Sequence, residues 1–105
     1  MAQQFVRSHI APDKVVVFGK TGCPYCHKAV DYLEGLGLKS GHLEYVNLSG
    51  ESNVEEIQQY LLQLTGARTV PRIFIGETCI GGFSDLEALG RSGQLEPLLR
   101  RIGAL

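Results

Sequence analysis

Apolar positions in this chain fall into short runs of two different periods, and their order predicts a layered α/β fold. Lys14-Val15-Val16-Val17-Phe18 is an unbroken run rich in β-branched residues. It predicts a strand buried on both faces, since a half-buried strand alternates with polar residues. Leu43 to Leu48 does alternate and predicts a second strand. Arg72-Ile73-Phe74-Ile75 and Thr78 to Gly81 read as a third and fourth, joined by Gly76-Glu77. Glycine in first place suits a two-residue hairpin turn. Between the strands the spacing becomes helical. Cys26, Val30, Leu33 and Gly37 share one face after Pro24, and Val54, Ile57, Tyr60, Leu61 and Leu64 share another. Leu86 and Leu89 predict a helix to about Arg91, and Leu95, Leu98, Leu99 and Ile102 predict a last one ending at Gly103. Residues 3–10 make a short leading helix, with Phe5, Val6 and Ile10 as its apolar side, broken by Ala11-Pro12-Asp13.

The punctuation agrees. Pro24 suits a first-turn position, where its missing N–H is not needed. Ser52-Asn53-Val54-Glu55 and Ser84-Asp85-Leu86-Glu87 both match a capping box. Glycines 35, 37 and 41 end one helix and Gly66 another. Strand, helix, strand at the start implies a right-handed parallel unit. The chain shows no repeat, linker or low-complexity segment, and residues 1–105 read as a single domain able to hold one core.

Composition narrows the function. With 44% apolar residues the chain should be globular. A formal net charge of −1 offers no basic excess to meet phosphates, so no nucleic-acid partner is expected. No apolar run is long enough to span a membrane, and the first residues carry no secretory or transit signal. A cytoplasmic location is therefore expected, where structural disulfides are rare. Three cysteines are also an odd number for a disulfide framework.

That leaves Cys23-Pro24-Tyr25-Cys26 as a reactive pair. Three positions on a helix separate Cα atoms by roughly 5 Å, within disulfide reach. The pair can thus alternate between dithiol and disulfide with little backbone movement. Cys23 falls at the helix start, where free N–H groups and the helix dipole favour a thiolate, and Lys20 adds positive charge. Both effects lower the thiol pKa, and the thiolate is the nucleophile. Cys26 lies one turn deeper. Cys23 is expected to attack and Cys26 to resolve.

Cys-x-x-Cys ahead of the first core helix in a βαβ pattern reads as thioredoxin-like redox chemistry. Cys-Pro-Tyr-Cys at 23–26, Thr-Val-Pro at 69–71 and Gly-Gly followed by Ser-Asp at 81–85 go further. Together they resemble a glutaredoxin, most like the small cytosolic dithiol type, over essentially the whole chain. Thioredoxins typically carry a tryptophan beside this motif, and this chain has none. The resemblance implies a thioredoxin-like fold with a four-stranded mixed sheet and about five helices. It implies reduction of protein–glutathione mixed disulfides and protein disulfides, with glutathione as co-substrate and no permanently bound cofactor. Glutathione reductase would act indirectly, through glutathione, and the protein would be a monomer.

The resemblance also implies a binding slot. A cis-proline at Pro71 would leave Val70 backbone groups free to pair with extended glutathione as a short added strand. Lys20, Gln58 and Arg68 would meet the glycine carboxylate, and Tyr25, Thr69 and Gly82 would line the groove. Ser84 and Asp85 begin a helix whose N–H groups can hold the other carboxylate, with Asp85 taking the ammonium. Plain capping by Ser84 and Glu87 would compete for the same N–H groups.

Rival chemistries fit less well. Cys23-Pro24-Tyr25-Cys26-His27 matches the haem-attachment pattern, but the only methionine is Met1 and the strand-rich pattern is wrong for a small cytochrome. Structural zinc takes four ligands, and one cysteine pair supplies two. Among glutaredoxins, a proline after the first cysteine goes with redox members rather than those that bridge an iron–sulfur cluster. Cys79 is read as a small core or surface residue, where a regulatory second disulfide would lack its partner at Phe83. His9, His27 and His42 are read as surface residues.

Overall fold

The computed structural model describes residues 1–105. The elements run α1 (Ala2–His9), β1 (Val15–Gly19), α2 (Pro24–Glu34), β2 (Leu43–Asn47), α3 (Val54–Thr65), β3 (Arg72–Ile75), β4 (Thr78–Gly81), α4 (Phe83–Arg91) and α5 (Leu95–Arg101), with a 3₁₀ turn at Leu48–Gly50. The four strands form one mixed sheet in the order β2-β1-β3-β4. β1 pairs parallel with β2 and antiparallel with β3, and β3 pairs antiparallel with β4. This is the thioredoxin-like α/β architecture that the sequence pattern predicts.

The unbroken apolar run explains the layers. β1 lies inside the sheet, and all five of its residues are buried. Val15 and Val17 join Ala29, Leu33, Ile73, Leu86 and Leu99 on the face covered by α2, α4 and α5. Val16 and Phe18 join Val6, Ile57, Leu61 and Phe74 on the face covered by α1 and α3. Each such side chain contributes about 1.5–3 kcal/mol of burial. Phe18 and Phe74 meet edge to face at 5.7 Å between ring centres. No helix is long and apolar enough to cross a membrane.

Several local expectations shift. β1 excludes Lys14, whose ammonium instead reaches Glu44 at 2.6 Å. Burial pushes the Glu44 carboxyl up, but Lys14 and His9 outweigh that and hold it below the ordinary range. Thus His9 is not merely a solvated surface residue. β2 ends at Asn47 and leaves Leu48 to the 3₁₀ turn. Helix α2 stops at Glu34, so Gly37 lies outside it, and Ile102 likewise follows the end of α5.

Neither capping box forms as the spacing suggests. Helix α3 begins after Asn53 rather than Ser52, with no side-chain cap, and Glu55 bonds to Arg68 instead. Helix α4 begins earlier than expected, at Phe83, after Gly82. Asp85, not Glu87, occupies the third helical position, and its Oδ2 accepts the Gly82 N–H at 2.9 Å. Glu87 pairs with Arg91 at 2.6 Å instead. Gly81 permits this fit. Its φ is +112°, and a Cβ there would run into the Asp85 carboxylate. The register between β3 and β4 also shifts between Ile73 and Phe74, as bulges beside functional sites commonly do.

Candidate active site

Cys23 caps the N-terminus of α2 with extended backbone, φ −104° and ψ 101°. Pro24 takes the first helical position, as its fixed φ favours. The Cys26 N–H donates to Cys23 Sγ at 3.2 Å. The two sulfurs are joined as a disulfide, with Cα atoms 5.2 Å apart. The partners differ sharply in access. Cys23 is half-buried, whereas Cys26 is fully buried against the end of β1. An incoming sulfur therefore reaches Cys23 and not Cys26.

Across from this pair stands the segment before β3. The Val70–Pro71 peptide is cis. The Val70 carbonyl oxygen lies 4.0 Å from Cys23 Sγ. Tyr25, Thr69, Val70, Pro71, Gly82, Ser84 and Asp85 all line one groove of about 360 Å³. Seven residues singled out from the sequence thus share one hollow, although they come from three separate stretches. Ser84 and Asp85 sit in the first turn of α4, where backbone N–H groups lack intrahelical partners.

Lys20, Gln58 and Arg68 form a second cluster, outside that hollow. Lys20 Nζ donates to Gln58 Oε1 at 3.2 Å, and Gln58 Nε2 donates to the Arg68 carbonyl at 3.0 Å. Arg68 is tied to Glu55 at 2.6 Å, which holds the exposed Glu55 carboxyl below its ordinary range. Gln58 is buried, so it is not the solvated side chain that its polarity would suggest. The two clusters meet at residues 68–71, beside Cys23.

Two residues of the groove escaped the sequence reading. Phe83 packs against Tyr25 at 6.0 Å and against Tyr32 at 6.3 Å between ring centres. This gives the exposed Tyr25 ring a wall, as does Lys28, whose ammonium lies 5.0 Å from the ring centre. Arg72 lines the groove, is only 8% exposed and forms no ion pair with any carboxylate. Its Nε donates to the Pro71 carbonyl at 3.4 Å. Its place next to Pro71 was the available signal, masked by the strand pattern that begins there.

A larger hollow of about 630 Å³ lies elsewhere, lined by Tyr32, Leu36, Leu95, Leu99 and Leu105 among others. None of its residues neighbours the cysteine pair, whereas the smaller groove is lined by Tyr25, between the two cysteines, and by Val70, which faces Cys23. Cys79 packs at the margin of the α1 and α3 side of the core. No third metal-ligating side chain gathers around the cysteine pair.

A family model described as Glutaredoxin matches residues 15–80, a span that holds both cysteines and the cis-proline. The chain belongs to the glutaredoxin family. It is 56% identical to human Glutaredoxin-1 over 105 residues, covering 100% of this chain and 99% of that protein. Among solved structures, a buckwheat glutaredoxin–glutathione complex superposes with a TM-score of 0.91 at 38% identity, covering 100% of this chain and 93% of that one. Oxidized glutaredoxin 2 from Chlamydomonas reinhardtii superposes at 0.87, also at 38% identity, covering 99% and 95%. Glutaredoxins are glutathione-dependent thiol–disulfide oxidoreductases, and this chain is one of them.

Proposed function

We propose that Cys23 is the nucleophile of a glutathione-dependent disulfide reductase and Cys26 its resolving thiol. The observation that carries this reading is the asymmetry of the pair: a half-buried Cys23 sulfur at a helix start, and a fully buried Cys26 one turn on. The Cys26 N–H already points at Cys23 Sγ. That hydrogen bond and the dipole of α2 stabilise a sulfur anion over a thiol. A helix terminus is worth about 0.3–1 kcal/mol in exposed settings and up to about 2 when partly buried.

The Cys23 thiolate attacks the glutathione sulfur of a protein–glutathione mixed disulfide. The old S–S bond breaks, and its electron pair leaves with the protein thiol. Cys23 now carries glutathione. A second glutathione thiolate attacks that sulfur, frees Cys23 and leaves as glutathione disulfide, which glutathione reductase recycles. With a protein disulfide, Cys26 instead attacks the mixed disulfide on Cys23 and releases the substrate thiol. Glutathione lies along the Val70 backbone, with its glycine carboxylate toward Lys20, Gln58 and Arg68. Its γ-glutamyl end meets the start of α4 at Gly82, Ser84 and Asp85, with Tyr25, Thr69 and Pro71 as walls. The protein holds no resident cofactor and works as a monomer in the cytoplasm on glutathionylated proteins and protein disulfides.

Turnover of a glutathione mixed disulfide, coupled to glutathione reductase, tests the roles. Cys23→Ser should lose at least about a thousandfold in rate, since a hydroxyl is a far poorer nucleophile at neutral pH. Cys26→Ser should keep this activity but lose reduction of protein disulfides. An active Cys23→Ser protein would overturn the assignment.

A further inference from the structure

Gly19, the last residue of β1, has a vacant side-chain position that two groups share. A Cβ there would lie 2.6 Å from the Tyr45 hydroxyl oxygen and 2.9 Å from Cys26 Sγ. The phenol of β2 and the buried sulfur of α2 therefore border the same small space beside Gly19. The Tyr45 hydroxyl donates at present to the Lys20 carbonyl, over a long 3.4 Å. Cys26 is fully buried. When glutathione attacks Cys23 in the disulfide state, the Cys23–Cys26 bond breaks and its electron pair stays on Cys26. That places a sulfur anion in a site closed to water, where an unsatisfied charge is costly.

We propose that Tyr45 is the hydrogen-bond donor that stabilises Cys26 as it is expelled, so that it governs how fast glutathione reduces the oxidised protein. The inference rests on the functional reading above. The glutathione thiolate bonds to Cys23 Sγ, the intramolecular S–S bond breaks, and Cys26 leaves as a thiolate. The Tyr45 O–H turns from the Lys20 carbonyl to that sulfur without giving up its proton, because a phenol is a weaker acid than a thiol. Burial raises the Tyr45 pKa further, which keeps the proton on oxygen. The proton lost when glutathione forms its thiolate balances the one that Cys26 finally takes. Position 19 has no side chain to fill the space that donor and sulfur both border.

Tyr45→Phe keeps the ring and removes only the hydroxyl. Reduction of the oxidised protein by excess glutathione at pH 7, followed by stopped flow, should slow about three- to tenfold. The Cys26 pKa in the reduced protein, read from the NMR shift of its labelled Cβ, should rise. The kinetic effect should vanish in a Cys26→Ser background, assayed with a glutathione mixed disulfide. Site-specific 3-fluorotyrosine at position 45, a more acidic donor, should speed reduction and would serve if the phenylalanine variant folded poorly. Equal reduction rates for Tyr45→Phe and wild type, or equal slowing with and without Cys26, would overturn the role. If glutathione failed to reduce the wild-type disulfide at all, the functional reading itself would fall, and this inference with it.

Discussion

The two clusters proposed to hold the two ends of glutathione are made of different material. At one end stand Lys20, Gln58 and Arg68, long side chains contributed by a loop, a helix and the segment after it. At the other, residues 82–85 offer a turn of backbone held in place by one carboxylate. The side-chain end would act by charge, is partly exposed and already has a competitor in Glu55. The backbone end would act through N–H groups whose direction is set by the start of α4. Side-chain charge is screened by salt and adjusted by single substitutions. Backbone donors respond only when their support is removed. One end is therefore adjustable, and the other is all or nothing.

The sharpest way to break the contrast is Asp85→Ala. It removes both the proposed ammonium partner and the brace on the Gly82 N–H. A charged hydrogen bond is worth about 1.5–3 kcal/mol, so kcat/KM for glutathionylated substrate should fall about ten- to a hundredfold. Loss of the brace should also cost about 0.5–2 kcal/mol of stability, as for a helix cap. Urea unfolding alongside kinetics separates the two, and unchanged kinetics would remove Asp85 from the site.

Gln58→Ala should act less strongly. It breaks the link between Lys20 and the Arg68 carbonyl by removing a buried side chain that bonds to both, at about 1–3 kcal/mol of stability. KM should rise about three- to tenfold with kcat nearly kept, because Lys20 and Arg68 remain but lose their alignment. A fall in kcat with KM constant would contradict a role confined to binding.

Glu55→Gln should have the smallest effect and the opposite sign. The Glu55 carboxylate occupies Arg68 and sits near Lys20. Its neutralisation frees the guanidinium, so KM should fall about twofold at low salt and less at high salt. Arg68 holds the Glu55 pKa below the ordinary 4.5. The carboxylate is therefore charged at neutral pH, and variant and wild type should converge only as pH falls through that lowered value. A difference that persisted unchanged at high salt would mean that Arg68 does not act by charge.

Most of the fold was legible because period and punctuation are local. The Val15–Phe18 run identified the central strand, and Gly76 marked the hairpin whose turn it makes with φ +63°. Helix starts were harder to read. Two Ser-x-x-Glu patterns promised caps, yet Glu55 and Glu87 each found an arginine instead. Arg68 is thirteen residues from its partner, and nothing in a four-residue window reveals that competition. Phe83 and Arg72 were hidden for a similar reason, since each looks like an ordinary residue at the edge of its own element.

By itself, the sequence determined the order of strands and helices, the two thiols one turn apart, and which of them heads the helix. These follow from side-chain period, chain stereochemistry and the spacing of one helical turn, all properties of adjacent residues. Only the tertiary structure decided that Val70 faces Cys23, that Glu55 occupies Arg68, and that the Tyr45 hydroxyl shares an empty space with Cys26. Those contacts join residues far apart in the chain. They depend on how β1 and β2 pair and how α2 and α3 pack on opposite faces of the sheet, geometry that no local pattern contains.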